Sequence, residues 1–160
     1  MNYTKFKERQ QRAFQATKRS EVTVLEAERG GGKSFWLFWS AIIYLAEHAG
    51  TNAILFARSR ELAIATFMGY VKDIPEATYA KYEDRIELKN GSSIYLMGID
   101  QREKYCSMQA LIVGIDNMDT MTKKDFDSAY ERHRWPGLEA KVLVTQTRHP
   151  VYPSGTTFIS

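Results

Sequence analysis

Apolar residues along the chain fall into short unbroken runs that alternate with amphipathic or wholly apolar stretches. Residues 21–27 (EVTVLEA) form a β-branched run that leads into three consecutive glycines, so a strand is predicted there. Residues 35–48 (FWLFWSAIIYLAEH) are apolar nearly all round, which predicts a buried helix stopped by Gly50. Residues 52–57 (NAILFA) predict a second buried strand, and residues 59–72 a helix capped by Ser59 and ended before Pro75. Two alternating runs, 85–89 and 93–97, flank Asn90-Gly91-Ser92, a strong hairpin signal. Residues 110–116 (ALIVGID) read as an apolar strand ending in an acid, 122–132 as a helix and 141–147 (KVLVTQT) as a final strand. Ahead of all these, residues 4–18 predict a polar helix carrying Phe6 and Phe14. Continuous apolar strands alternating with helices imply an α/β fold with a mainly parallel central sheet flanked by helices. With no internal repeat and no low-complexity linker, the expectation is a single domain over 1–160, with helix 4–18 followed by a core over 21–160.

Composition changes this picture little. The 160 residues are 44% hydrophobic and 26% charged, enough for one core and ordinary for a soluble chain. No apolar run approaches the roughly 18 residues needed to span a bilayer, and the N-terminus is too polar for a secretory signal, so no membrane partner and a cytoplasmic location are expected. One cysteine, Cys106, excludes an internal disulfide, and three scattered histidines leave no structural metal cluster. The net charge of +3 is mild but uneven, with Lys5, Lys7, Arg9, Arg12, Lys18 and Arg19 crowded together. They read either as a solvated helix face or as a contact for DNA phosphates.

The candidate chemistry lies at the glycine run. Gly32-Lys33-Ser34 matches the second half of G-x-x-x-x-G-K-[ST], directly after a strand and opening a helix; Ala27 stands where the first glycine belongs. Ala27, Glu28, Arg29, Gly30, Gly31, Gly32, Lys33 and Ser34 thus form a phosphate-binding loop. The glycines let backbone N–H groups turn inward around phosphate oxygens at the positive end of the following helix. Lys33 would reach the β- and γ-phosphates of ATP, and the Ser34 hydroxyl would ligate Mg²⁺. The Mg²⁺ also needs a carboxylate at the tip of a neighbouring strand, and Asp116 supplies it. Many such ATPases follow this Asp with a Glu that polarises the attacking water; here it is Asn117, which can orient water but is a poor general base. Three explanations stand open: Asp119 takes over, hydrolysis is slow, or Asn117 is an alteration of a natural Glu. Thr145, Gln146 and Thr147 end the last strand, where a polar residue would sense the γ-phosphate if that strand is added between those of the loop and of Asp116.

Ala27-Glu28-Arg29-Gly30-Gly31-Gly32-Lys33-Ser34 resembles the deviant loop of one family, the ATPase domain of the large terminase subunit, the DNA-packaging motor of tailed bacteriophages. The order of elements is similar too. A glutamine, Gln10 or Gln11, precedes the loop as in the family's adenine-contacting motif, a strand ends in Arg58, the Asn-Gly-Ser hairpin and acid-tipped strand follow, and Thr145–Pro150 stands as the coupling segment. The resemblance implies a P-loop NTPase of the added-strand, RecA-like type, with ATP and Mg²⁺ as ligands. It further implies that Arg29 stabilises charge on the γ-phosphoryl group, although pairing with Glu26 or Glu28 is the plain alternative. Its implied partners are double-stranded DNA, a homo-oligomeric ring on a portal, a small terminase subunit, and a nuclease domain absent from this chain. In such a ring a neighbour can donate an arginine, for which Arg102, Arg132 and Arg134 are candidates. A module that binds ATP without turnover, serving regulation or assembly, is the competing expectation, and Asn117 is the residue that favours it. A P-loop kinase would need a basic lid, and none is evident.

Overall fold

The computed structural model describes residues 6–28, 32–75, 77–80, 84–147, 152–153 and 155–160. Its elements run α1 (Glu8–Thr17), β1 (Val22–Glu26), α2 (Lys33–Ala46), β2 (Asn52–Ala57), α3 (Arg60–Val71), β3 (Thr78–Ala80), β4 (Arg85–Glu87), β5 (Ser93–Gly98), α4 (Arg102–Tyr105), β6 (Ile112–Ile115), a 3-10 turn (Met118–Thr120), α5 (Lys123–Tyr130), β7 (Lys141–Gln146) and β8 (Thr157–Ile159). Among the described residues the strands form one sheet in the order β3-β4-β5-β2-β6-β7-β1-β8. From β5 to β8 every pairing is parallel; β3 and β4 add an antiparallel edge. This is the mainly parallel α/β sheet that the alternating pattern predicts, with β7 lying between β1 and β6 as the added strand.

Local chemistry explains the boundaries. Ser59 caps α3 by accepting from the Leu62 amide at 3.2 Å, and Thr122 caps α5 in a reciprocal box with Asp125. Gly91 takes φ 86° in the hairpin turn, as the Asn-Gly signal requires. On one face of the sheet α2 buries Trp36, Leu37, Phe38 and Ile42 beside Phe14 of α1 and Phe67 of α3. On the other, Tyr105 and Phe126 cover Val24, Phe56, Val113 and Val144. The aromatic run of α2 is therefore core: Trp36 and Phe38 are wholly buried, and Phe38 stacks on Phe67.

Some expectations need correction. Residues 141–147 do not hold the last strand, because β8 follows and pairs in parallel with β1. The Arg85 and Ser93 runs are joined by a third strand, β3, too short to leave a period in the sequence. The described part of the predicted 4–18 helix begins at Glu8, with Lys7 as its extended cap.

Candidate nucleotide site

The carboxyl ends of β1, β6 and β7 converge on the amino end of α2. Gly32 precedes that helix at φ 76°, a left-handed conformation that glycine adopts without cost. A Cβ there would also stand 2.4 Å from the Gln10 amide nitrogen, which donates to the Gly32 carbonyl at 3.0 Å. A second glycine brings the helix down onto the sheet. At Gly114 of β6, a Cβ would lie 2.6 Å from Leu55 and 3.0 Å from Leu37, so larger residues would lift α2 away from the strand that carries Asp116.

Ser34 and Asp116 meet directly. The Ser34 hydroxyl stands 3.0 Å from both carboxylate oxygens of Asp116, and the Thr145 hydroxyl donates to one of them, Oδ1, at 2.8 Å. Thr145 in turn accepts from the Asn117 amide at 2.8 Å. Asp116 is only 8% exposed. Burial pushes its pKa up, partly offset by the hydrogen bonds from Thr145 and Ser34 and by the positive charge of Lys33. A buried carboxylate served by hydroxyls has unmet demand for positive charge. Its hard oxygen donors, with the Ser34 hydroxyl, suit Mg²⁺, which binds proteins through one or two oxygens and keeps waters for the rest.

Lys33 projects back over the loop, donating to the Ala27 carbonyl at 2.6 Å and the Glu28 carbonyl at 3.2 Å, with Thr147 Oγ1 at 3.5 Å. Asp119, exposed on the 3-10 turn, accepts from the Thr147 amide at 2.8 Å and so ties that turn to the end of β7. These groups, with Phe35 and Tyr70 as an aromatic wall, line a cleft of about 640 Å³, within the roughly 300–1,000 Å³ usual for small-molecule sites. Asn117 sits on its floor at φ 57°, a left-handed backbone that asparagine tolerates better than most residues.

Arg29, Gly30 and Gly31, as well as Pro150, fall outside the described residues. Gln10 is buried with both amide atoms engaged, by the Gly32 carbonyl and by the Lys7 amide at 2.8 Å, while Gln11 donates to the Phe6 carbonyl. Gln10 thus touches the loop itself. Arg102, beyond the carboxyl end of β5, donates to Ser128 at 2.6 Å. Arg132, bound to the Cys106 carbonyl and Glu131, and Arg134 belong to the opposite end of the sheet, where Ala110 bridges His133. Sequence reasoning missed Gly114 and Tyr70; a glycine inside an otherwise apolar strand was the available signal for the first.

The sequence matches no protein-family model and no curated protein. Solved structures do match the fold. The large terminase of a thermophilic bacteriophage in complex with ATP-gamma-S aligns with TM-score 0.72 at 12% identity, over 88% of this chain and 38% of that one. The large terminase ATPase domain of Thermus phage P74-26 aligns with TM-score 0.69 at 16% identity, over 88% of this chain and 65% of that one. The large terminase of bacteriophage HK97 gives TM-score 0.67 at 15% identity, over 89% and 33%. This chain therefore spans a third to two thirds of the length of these proteins. Its architecture, an added-strand α/β sheet with a glycine-rich loop at the head of the central helix, is the fold of bacteriophage large terminase ATPase domains.

Proposed function

We propose that this chain binds and hydrolyses Mg·ATP as the motor domain of a viral terminase, coupling turnover to translocation of double-stranded DNA. The observation that carries the reading is the cluster of Lys33, Ser34 and the buried, cation-deficient Asp116 around one cleft. Similarity of fold to proteins solved with ATP-gamma-S and with ADP supports the choice of nucleotide.

Each residue then has a task. Lys33 exchanges its carbonyl partners for the β- and γ-phosphate oxygens, and the first amides of α2 add the positive end of the helix dipole. Ser34 and Asp116 would hold Mg²⁺, which when bound would supply positive charge against the charge of the transferring phosphoryl group. Thr145 fixes the rotamer of Asp116 from behind. A water attacks the γ-phosphorus, the bond to the ADP oxygen breaks, and the water proton passes to a carboxylate. Asn117 orients that water, and Asp119 on the same cleft accepts the proton. Arg29, from the loop, stabilises charge on the transferring group, and Arg102 of a neighbouring copy, the one of the three candidate arginines not at the opposite end of the sheet, completes the site in a ring. A portal, a small subunit and a separate nuclease domain are the partners this role requires.

The test is Mg²⁺-dependent release of phosphate from ATP. Lys33→Ala should lower it by on the order of a hundred- to a thousandfold, whereas activity that survives Lys33→Ala rejects the site. A second reading rests on Asn117: a module that binds the nucleotide and does not turn it over. Tight binding with no phosphate release, in the native chain and in Asn117→Glu alike, selects that reading.

A further inference from the structure

A second cleft, of about 490 Å³, lies at the other end of the sheet, where β1 and β7 begin. Arg19 precedes β1, Arg134 and Trp135 precede β7, and Lys141 is the first residue of β7. The length of β7, six residues at about 3.3 Å each, separates this cleft from Lys33 and Asp116.

Its cations are poorly compensated. The Lys141 side chain is only 5% exposed, and the ion pair it makes, with Glu139 at 3.4 Å, uses a carboxylate that is itself 85% exposed. Glu21, the other acid in the cleft, is already engaged by Tyr130 at 2.8 Å and His133 at 2.6 Å. Those two hydrogen bonds, with the nearby positive charges of His133 and Lys141, hold its carboxyl below the usual range against the opposing effect of burial. Arg19 and Arg134 are exposed, and neither side chain has a hydrogen-bond or ion-pair partner among the described residues. Trp135 supplies a half-buried ring to the same cleft.

The cleft also continues a stripe on α1. Residues 8, 12 and 15 of α1 are exposed on one face, with Arg12 on it and Glu8 as the lone acid, and exposed Arg19 follows two residues beyond the end of the helix. Lys7, Arg9 and Lys18 are exposed beside it. A band of arginines and lysines that ends in a cleft with a buried ammonium fits a ligand carrying several regularly spaced anions, and fits a single small anion less well.

We propose that the Arg19–Arg134–Lys141 cleft and the exposed face of α1 form a seat for the phosphodiester backbone of double-stranded DNA. That the polyanion is duplex DNA rests on the translocation reading above; the cationic seat does not. Contacts of this kind grip any sequence and weaken with salt, as a translocating surface requires. The seat lies a strand's length from the phosphate loop, so DNA and nucleotide are held at opposite ends of the same parallel strands.

Anisotropy titration of a labelled duplex tests this, with Mg·ATP binding measured on the same variants so that failure of the nucleotide site is seen separately. Arg19→Gln with Arg134→Gln should weaken duplex binding on the order of tenfold and flatten the plot of log affinity against log salt by about two contacts. Glu139→Gln, which removes a competing carboxylate, should tighten it. Trp36 and Trp39 are buried, so quenching of tryptophan emission by the duplex should report Trp135 and vanish in Trp135→Leu. Unchanged affinity and salt slope in the double variant would overturn the proposal. So would equal binding of polyglutamate, which marks a general anion patch, or a clear preference for single strands.

Discussion

Asp84 and Asp116 are both buried carboxylates, 1% and 8% exposed, yet their charges are met in opposite ways. Asp84 lies between two cations: Arg60 reaches it through Nε at 2.5 Å and Nη2 at 2.8 Å, and the Lys104 ammonium stands at 3.4 Å, with the Tyr79 hydroxyl donating at 3.0 Å. Burial alone would raise its pKa, but the hydrogen bonds and charge of Arg60, with Tyr79 and Lys104, outweigh it and hold the carboxyl below the ordinary value. Asp116 has hydroxyls for neighbours, and burial wins: its pKa is raised. Burial by itself therefore does not mark a functional carboxylate. In the proposed reading the carboxylate without an ion-pair partner among the described residues, Asp116, is the one that receives a cation with the nucleotide.

Substitution at the two positions should separate these roles. The largest effect expected is on phosphate release in Asp116→Asn, a fall on the order of a hundred- to a thousandfold with loss of Mg²⁺-dependent nucleotide binding. Asp84→Asn should leave nucleotide affinity unchanged; equal losses in both variants would erase the distinction. Stability should reverse the order. Asp84→Asn removes charge-assisted hydrogen bonds and should cost about 2 kcal/mol in denaturant titration, whereas Asp116→Asn in nucleotide-free protein should raise the unfolding midpoint, because it removes an under-compensated buried charge.

The pH dependences follow from the two directions of shift. With its folded pKa lowered, Asp84 contributes stability that is present above the unfolded carboxylate value of about 3.9 and is lost as pH falls through the folded pKa. With its folded pKa raised, Asp116 makes the opposite contribution: stability falls as pH rises from the unfolded value through the folded one. Mg·ATP affinity should accordingly weaken on acidification at a higher pH than an ordinary Asp would give, and Asp116→Asn should abolish that titration. The smallest effect concerns the loop. Gln10→Ala removes one hydrogen bond to the Gly32 carbonyl, worth about 1 kcal/mol, and should raise the KM for ATP by less than tenfold without changing the fold.

Sequence alone discloses the ordering of this fold better than its edges. Largely apolar runs identify β1, β2, β6 and β7 because strands covered on both faces are filled mainly by apolar side chains, with a few buried polar residues such as Thr23 and Thr145 among them. The three-residue strands β3 and β8 carry too few positions for a period, and they owe their conformation to the neighbours they pair with. The site divides in the same way. Lys33 and Ser34 lie within a local motif, and Asp116 is legible as an acid ending an apolar run. The tasks of Thr145 and Gln10 were not legible, since each acts through a hydrogen bond to a residue 22 to 29 positions away. The Asp84 cluster was invisible for the same reason: Arg60 and Lys104 reach it across 24 and 20 positions.

The central claim is that Asp116 and Ser34 hold a divalent cation with the nucleotide that Lys33 engages. Isothermal titration of ATP into the native chain and into Asp116→Asn, each with and without Mg²⁺, tests it most directly. The account predicts measurable heat of binding that depends on Mg²⁺ in the native chain and loses that dependence in Asp116→Asn. Binding of ATP equally well without Mg²⁺, or undiminished in Asp116→Asn, would contradict it.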